Sequence, residues 1–251
     1  METSYKYMNC VPTVKIKYGQ QDEIKDVWKQ LITIDDINER RNKTNELIKA
    51  MEANSEKNGF FRKDEPVGID PHGFNYGFTI DDPEIYHLFI SMLKTLKEQY
   101  NTPEELLPFY GTFHTIQNYF GGMESDQNER LSLTSIIDFE VPSISVLKGQ
   151  NCSMCVERAS VAHNLWLLTG AKSHYVYSMT PKFKDDDKND AHAFCIIEEN
   201  GIYKMFDHSM QVFQRLEGNP IETILNGELL KVTTQSGEEI IYANSDLNLT
   251  R

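Results

Sequence analysis

The chain has 251 residues, of which 39% are hydrophobic and 11% aromatic, so it is long and apolar enough to bury a sizeable core. This composition excludes an intrinsically disordered chain. The formal net charge is −13, from 25 basic and 38 acidic residues, and no block rich in Lys or Arg occurs. Nucleic acid, which is bound largely through its phosphates, is therefore not an expected partner.

The beginning of the chain and its cysteine content bear on the compartment. The first residues, METSYKYMNCVPTVKIKYG, lack a basic segment followed by an apolar run, and no stretch of about 18 apolar residues occurs. We therefore expect neither a secretory signal nor a membrane span. Four cysteines are too few for a disulfide scaffold in such a chain, which predicts reduced thiols and a cytoplasmic location. Export by a route without a cleaved signal would not be visible in the sequence. The sequence does not indicate the oligomeric state.

Residues 1–140 are predicted to form a mostly helical N-terminal extension, because apolar residues recur there with the helical period. The first predicted helix has one apolar face, made of Ile24, Val27, Trp28 and Leu31. The second begins at Asp35 or Asp36 as its N-cap and ends before Asn58. Its expected buried face consists of Ile37, Leu47, Ile48 and Met51.

Two further helices are predicted in this part, and both combine a capping residue with a proline at the first helical position. The first uses Asp82 and Pro83 and has an apolar stripe of Ile85, Leu88, Phe89, Met92, Leu93 and Leu96. The second uses Thr102 and Pro103, is interrupted near Pro108, and ends at Gly121-Gly122. The segment VGIDPHGFNYGFTIDD is rich in glycine and aromatic residues, which predicts an ordered loop that packs against the fold or borders a groove.

Residues 141–251 are predicted to form the core of the fold, because the sequence changes there to short segments rich in β-branched and aromatic residues. A helix over residues 153–169 precedes the predicted strands KSHYVYSM, AHAFCIIEE and GIYKMFD and the hairpin LLKVTTQSGEEIIYA. We therefore expect an α+β fold in which one helix packs on an antiparallel sheet. The acidic run FKDDDKND is interpreted as a solvated loop, because it lacks the ligand and glycine spacing of a calcium site.

Cys152 and Cys155 lie three residues apart at the start of this helix and allow three interpretations. As zinc ligands they would join His192 and Cys195, but residues three apart in a strand point to opposite faces unless the strand is bent. As a redox pair they would be expected to follow a strand, whereas the strands here mostly follow the helix. As a nucleophile, Cys155 would gain from the positive end of the helix dipole, with Cys152 as a small buried neighbour. Spacing alone leaves the three interpretations open.

His192 and Asp207 complete a triad in outline with Cys155. His192 lies in a predicted strand, and Asp207 ends the next strand after a turn at Asn200-Gly201. Antiparallel neighbours of this kind can place an imidazole beside a carboxylate that fixes its tautomer. Nucleophilic catalysis needs a thiol, a base and a group that orients the base, although the seven histidines of this chain offer other combinations.

The triad lies in a longer pattern over residues 149 to about 210. The pattern consists of Cys155-Val-Glu-Arg-Ala159, Leu167-Leu168, Gly170-Ala171, Tyr175-Val176, His192-Ala-Phe194 and Asp207. In order and spacing it resembles the core pattern of the transglutaminase-like superfamily of papain-fold cysteine enzymes. Phe194 stands where that family usually has Trp, and His208-Ser209 stand where it has Pro-Thr or Pro-Ser. In papain-like peptidases proper the histidine lies much farther from the cysteine than the 37 residues seen here.

The resemblance implies a papain-like fold and a cysteine-dependent enzyme that transfers an acyl group from an amide or peptide bond through a thioester. Cys155 would be the nucleophile, His192 the general base and acid, and Asp207 the orienting carboxylate. A peptidase or amidohydrolase acting on a peptide or protein is the first expectation, and a protein-glutamine transglutaminase or deamidase is the alternative. This chemistry needs neither a cofactor nor a metal. A non-catalytic zinc-binding or protein-binding module is the alternative from a different class.

Further residues are expected around the triad. The Cys155 backbone N–H is an expected oxyanion donor, and Gln150 or Asn151 is a candidate for a second, although both also fit a loop and an N-cap. Phe194 is an expected aromatic wall of the substrate site. Five further histidines are expected to be structural or surface residues, and two further thiols to be buried; these residues are His72, His114, His163, His174, His208, Cys10 and Cys195.

Overall fold

The structure is a computed structural model that describes residue 17 and residues 24–67, 76–122, 127–138, 140–182, 192–233, 237 and 239–244. Within these ranges most helices precede a six-stranded sheet, so the fold is mixed α+β, as the change of period predicts. The helices are α1 Val27–Leu31, α2 Ile37–Ala53, α3 Ser55–Asn58, α4 Glu84–Glu98, α5 Leu107–Phe120, α6 Gln127–Thr134, α7 Cys155–Leu168 and α8 Pro220–Leu225. No helix in the described ranges has the length and apolar character that crossing a membrane requires.

The sheet is antiparallel in all described pairings and has the order β4-β3-β2-β1-β6-β5. Its strands are β1 Lys172–Lys182, β2 His192–Glu199, β3 Ile202–Asp207, β4 Val212–Leu216, β5 Leu230–Thr233 and β6 Glu239–Asn244. Asn200 and Gly201 connect β2 to β3 and have φ angles of 51° and 74°. Two consecutive positive φ angles are what a tight two-residue hairpin needs, so the predicted turn is confirmed.

The two faces of the sheet belong to two separate buried clusters. Tyr175 is paired with Cys195, and Val176 with Phe194, so the two pairs point to opposite faces. Tyr175 and Cys195 belong to the cluster that includes the helices α1, α2, α4, α5 and α7. Val176 and Phe194 belong to the second cluster, with residues of α8, β5 and β6. The thiol of Cys195 donates to the carbonyl oxygen of Ala159 at 3.3 Å, so α7 lies on the first face.

Helix α7 is enclosed almost completely by the rest of the fold. Every residue from Val156 to Leu168 is buried, whereas Cys155, its first residue, is partly exposed. The helix packs on β1, β2 and α5. A helix buried on all sides is held rigidly by close-packed neighbours, and this one presents only its first side chain toward solvent.

The predicted helices occur, but several of their ends differ from the prediction. Asp36 caps α2 by accepting a hydrogen bond from the Glu39 N–H at 2.7 Å, as predicted. Ile37 is 49% exposed, so the expectation that it faces the core is wrong: it lies in the first turn, before the part of α2 that is buried. Pro108 does not interrupt a helix, because α5 begins at Leu107 and Pro108 lies in its first turn. The N–H that proline lacks would have no intrahelical acceptor at this position.

Some predictions concern residues outside the ranges that the structure describes. Most of the glycine-rich loop, residues 68–75, and the acidic run, residues 183–190, lie outside the described residues, as do Cys10 and His72. The division near residue 140 stays a prediction, and side chains from both sides of it contribute to the larger buried cluster.

Candidate active site

Cys155 is held at the start of α7 as a free thiol, and its side chain is partly exposed. As the first residue of the helix it has an N–H group without an intrahelical acceptor. The positive end of the helix dipole acts at the same position. The predicted nucleophile is therefore accessible, rigidly mounted and placed beside a potential hydrogen-bond donor.

His192 and Asp207 form a direct hydrogen bond, as the hairpin predicts. Nε2 of His192 donates to Oδ2 of Asp207 at 2.6 Å. The Tyr242 hydroxyl donates to the same oxygen at 3.1 Å, and the Met210 N–H donates to Oδ1 at 3.0 Å. The carboxylate is thus fixed from three directions. Because Nε2 is engaged by Asp207, Nδ1 is the imidazole nitrogen that remains for exchange of a proton with Cys155.

The charges around the imidazole keep it protonated. Burial lowers the pKa of His192, but the charges of Asp207 and Cys155, with hydrogen bonds to both, outweigh burial and hold this pKa well above its usual value. A protonated imidazole next to a sulfur atom stabilises the thiolate, which is the nucleophilic form of cysteine.

The positions of the strands explain why these groups meet. His192 is the first residue of β2 and Asp207 is the last residue of β3, so the hairpin brings them to one end of the sheet. A bulge in β1 between Tyr177 and Met179 lies opposite the start of β2. Bulges change the direction of neighbouring side chains, and this bulge lies where the histidine must be aimed at Cys155.

The other predicted site residues lie in surroundings that differ from one residue to the next; they are Gln150, Asn151 and Phe194. Gln150 is exposed. Asn151 has a φ of 58°, and its Oδ1 accepts a hydrogen bond from the Gly122 N–H at 2.7 Å, so its carbonyl end holds the backbone after α5. It is not the N-cap of α7, a position that Met154 occupies. Phe194 is fully buried with its ring centroid 6.3 Å from that of His192, which places it behind the imidazole as a support.

Comparisons of this chain with protein-family models, curated proteins and solved structures find no match.

A buried ion pair next to Cys155 escaped the sequence prediction. Oε1 of Glu157 accepts hydrogen bonds from Nε of Arg130 at 2.8 Å and from the Tyr76 hydroxyl, and its Oε2 accepts from the Met154 N–H at 2.9 Å. Nη2 of Arg130 donates to the Tyr76 oxygen at 2.6 Å. Glu157 is fully buried and Arg130 is 5% exposed. The pair therefore anchors α6 and the segment at Tyr76 to the first turn of α7.

Arg158 is a second buried cation that the sequence prediction did not include. Its Nη2 donates to the carbonyl oxygens of Gly121 and Gly122 at 3.0 and 2.8 Å, and its Nη1 donates to Nδ1 of His208 at 3.2 Å. Burial lowers the pKa of Arg158 to about 10, so the side chain is still a cation at neutral pH. It joins the end of α5 to the turn that follows Asp207.

A signal for both residues was present in the sequence. Glu157 and Arg158 are adjacent charges within the otherwise apolar segment CVERASVAHNLWLL. Charged side chains are rarely fully buried without partners, so such a pair in a buried helix predicts partners elsewhere in the chain. Which residues these partners are cannot be derived from local spacing, since Arg130 is separated from Glu157 by 27 residues.

The geometry of the cysteines bears on the zinc interpretation. The Cys195 thiol points at Ala159 on the helix side of the sheet, whereas His192 is bound to Asp207, so these two ligands do not converge. In the part of the chain that the structure describes, no group of three or more His, Cys, Asp or Glu residues is arranged to hold a metal ion. Cys152 is 2% exposed, and burial raises its pKa, in keeping with a buried neighbour.

His163 and His174 take no part in the candidate site. In His163, Nδ1 lies 3.0 Å from the Ser173 hydroxyl and Nε2 lies 2.8 Å from the Gly59 carbonyl oxygen, and burial lowers its pKa to about 3. His163 is therefore a neutral structural residue, as predicted. His174 lies 3.5 Å from a carboxylate oxygen of Glu198 in the sheet.

Proposed function

We propose that this protein is a cysteine-dependent acyl-transfer enzyme of transglutaminase-like type that hydrolyses an amide or peptide bond through a thioester. Cys155 is the nucleophile, His192 the general base and acid, and Asp207 the carboxylate that orients the imidazole. The observation that carries the proposal is the imidazole of His192, which is bound to Asp207 at 2.6 Å and interacts electrostatically with Cys155 at the start of a buried helix.

In the first half of the reaction, the Cys155 thiolate attacks the carbonyl carbon of the amide. A C–S bond forms while the carbonyl π electrons move to oxygen, which gives a tetrahedral oxyanion. When this intermediate collapses, the C–N bond breaks and the leaving nitrogen takes the proton of the His192 imidazolium. A neutral amine leaves, and the acyl group remains on sulfur as a thioester.

In the second half, neutral His192 accepts a proton from water as the water oxygen attacks the thioester carbonyl. The C–S bond breaks, the carboxylic acid departs, and sulfur leaves as a thiolate next to the protonated imidazole. The resting ion pair is thereby restored. Asp207 keeps the proton on Nε2 throughout, so that Nδ1 is the nitrogen that takes and returns the mobile proton.

The start of α7 supplies the donor that the oxyanion needs. The Cys155 N–H has no acceptor within the helix and lies next to the sulfur that attacks, so it is available to the developing negative charge. Removal of one such donor typically costs about 10²–10³ in rate, so this group carries a substantial part of the expected acceleration.

The architecture supports the papain-like assignment within the α+β class. A buried helix that begins with the cysteine packs on an antiparallel sheet, and neighbouring strands of that sheet carry the histidine and the carboxylate. The chemistry of this site favours a carbonyl substrate with a nitrogen leaving group, because the imidazolium can supply the proton that such a leaving group requires.

The first test is the pH dependence of alkylation at each cysteine, measured by peptide mass spectrometry with and without a strong chelator. We expect Cys155 alone to react fast at neutral pH, with no effect of chelator. Protection of Cys152, Cys155 and Cys195 that chelator relieves would contradict the proposal and favour a zinc module. Hydrolysis of a peptide library should be lost on Cys155→Ala, with Cys152→Ala as the matched control that retains it.

A further inference from the structure

The ion pair of Arg130 and Glu157 lies directly against the segment that carries the reactive sulfur. Glu157 follows Cys155 by two residues in the first turn of α7, and its Oε2 binds the N–H of Met154, the residue before the cysteine, at 2.9 Å. Arg130 reaches this carboxylate from α6 with a bond of 2.8 Å. Any change in the charge of the pair therefore acts at the helix start where Cys155 is held.

Stability of the fold alone does not explain why an ion pair occupies this position. Desolvating two charges is costly, and apolar residues of similar size often stabilise a fold as well or better. Burial lowers the pKa of Arg130, but the charge of Glu157 and, less strongly, those of Tyr76 and Cys155 outweigh it and raise this pKa. The guanidinium is therefore held as a cation against its carboxylate partner, in the first turn of the helix that Cys155 begins.

Titratable and charged groups lie around the first turn of α7 and come from several elements. From α7 they are Glu157 and Arg158, from α6 Glu129 and Arg130, from β1 Tyr175, from β2 His192, from β3 Asp207, and from the flanking segments Tyr76 and Cys152. The buried charges among them are three cations, Arg130, Arg158 and the His192 imidazolium, and two carboxylates, Glu157 and Asp207. The Cys155 thiolate of the proposed function would be the third anion among these charges.

We propose that Arg130 and Glu157 are positioning residues that set the balance between thiol and thiolate at Cys155. This inference rests on the proposed function, in which the thiolate is the nucleophile. Arg130 cancels the negative charge of Glu157, which would otherwise oppose the anionic sulfur. Glu157 in turn limits the positive field at the sulfur, which preserves the nucleophilicity that falls as a thiol becomes more acidic.

The inference is tested by the pH profile of Cys155 alkylation in two variants that disturb the same contact. Arg130→Met leaves the carboxylate of Glu157 uncompensated, so the midpoint of the profile should move to higher pH and the rate at pH 6 should fall about tenfold or more. Glu157→Gln leaves Arg130 uncompensated, so the midpoint should move to lower pH. Loss of structure alone has no reason to produce opposite shifts.

Three further variants keep the test decisive. The double variant Arg130→Met/Glu157→Gln removes both charges, should be better tolerated than either single variant, and should have a midpoint between those of the two. Arg130→Lys retains a charge and keeps the fold available if the methionine variant unfolds, so its midpoint should stay close to wild type. Arg40→Met removes another buried arginine, in α2, and should leave the profile unchanged.

The possible results separate the inference from the proposed function. Opposite shifts in the two single variants support the inference. An activated wild-type profile with shifts in the same direction, or with none, overturns the inference and leaves the proposed function intact. A wild-type Cys155 that reacts like an ordinary thiol overturns both. Circular dichroism and thermal unfolding of each variant establish which profiles come from folded protein.

Discussion

At the scale of single residues, Asp207 is the group that keeps His192 protonated. Asp207→Asn removes the charge but can still accept a hydrogen bond from Nε2. We expect the pKa of His192 to fall, because the charge of Asp207 is the largest of the interactions that oppose burial. Alkylation of Cys155 at pH 6 should then slow about tenfold or more, as measured by peptide mass spectrometry.

Tyr242→Phe provides the matched control for this prediction. It deletes the 3.1 Å hydrogen bond from the tyrosine hydroxyl to Oδ2 of Asp207 but leaves the carboxylate and its bond to His192 in place. Alkylation in this variant should slow much less than in Asp207→Asn, because the carboxylate keeps its charge and its bond to His192. Equal losses in both variants would mean that geometry, rather than the charge of Asp207, controls the imidazole.

At the scale of elements, the end of α5 is fitted closely to the loop before α7. Gly121 has a φ of 80°, and a Cβ at this position would lie 2.0 Å from Oδ1 of Asn151. Gly121→Ala should therefore displace Asn151, strain the backbone and lower the free energy of unfolding by about 3 kcal/mol. It should also slow alkylation of Cys155, because the carbonyl of Gly121 is one of the groups that hold Arg158.

Gly149→Ala separates the clash from the cost of a positive φ. Gly149 has a φ of 72°, but a Cβ there would meet no atom within 4 Å. The free energy of unfolding, measured with a chemical denaturant, should fall by only about 1 kcal/mol, and the reactivity of Cys155 should not change. The close fit at the end of α5 would have no energetic importance if the two variants were equally stable.

At the scale of the whole molecule, buried neutral histidines make the fold sensitive to acid. Burial lowers the pKa of His163 to about 3, whereas the unfolded chain protonates this residue near pH 6.5. Between these values the unfolded state binds more protons, so the free energy of unfolding falls as the pH falls, by up to about 1.4 kcal/mol per pH unit for this group. His208, with its pKa lowered to about 4 by burial, acts in the same direction.

His163→Gln isolates the contribution of this histidine. The variant loses native contacts at neutral pH but no longer has a group to protonate, so the stability advantage of wild type over it should shrink from pH 6 to pH 4. His192 has the opposite sign: its raised pKa adds stability below pH 6.5 that is lost as the pH rises through the folded pKa. Denaturant unfolding at several pH values measures both effects, and a constant difference between the two proteins would contradict the prediction for His163.

The elements that sequence reasoning located are those with a local signal. The cap at Asp36 and the turn at Asn200-Gly201 are set by residues close to one another in the chain. Strand β4, VFQRL, was missed because it does not alternate cleanly and is flanked by polar residues. Helix α8 was missed although it carries a recognisable start, since Asn219 caps it and Pro220 is its first residue.

The residues of the candidate site likewise divide into those with a signal in the sequence and those without one. Cys155, His192 and Asp207 were predicted from the resemblance to a family pattern, at a helix start and in a hairpin that local signals locate, and the structure brings them together. Arg130 was missed because its role depends on the packing of α6 against α7, which no spacing in the sequence encodes. Asn151 has a position near the site, as predicted, but its side-chain oxygen is directed at Gly122 by a left-handed backbone conformation.

Because Cys195 is buried, the rate at which it is labelled reports how often the fold opens. This thiol lies in a central strand, is fully buried and faces the backbone of α7. A labelling reagent reaches it only in molecules whose helix and sheet have separated, so its labelling rate measures how often that separation occurs. Cys155 is accessible while the same elements remain closed. One sample, labelled over time and digested, therefore yields the reactivity of the closed form and the frequency of the open form together.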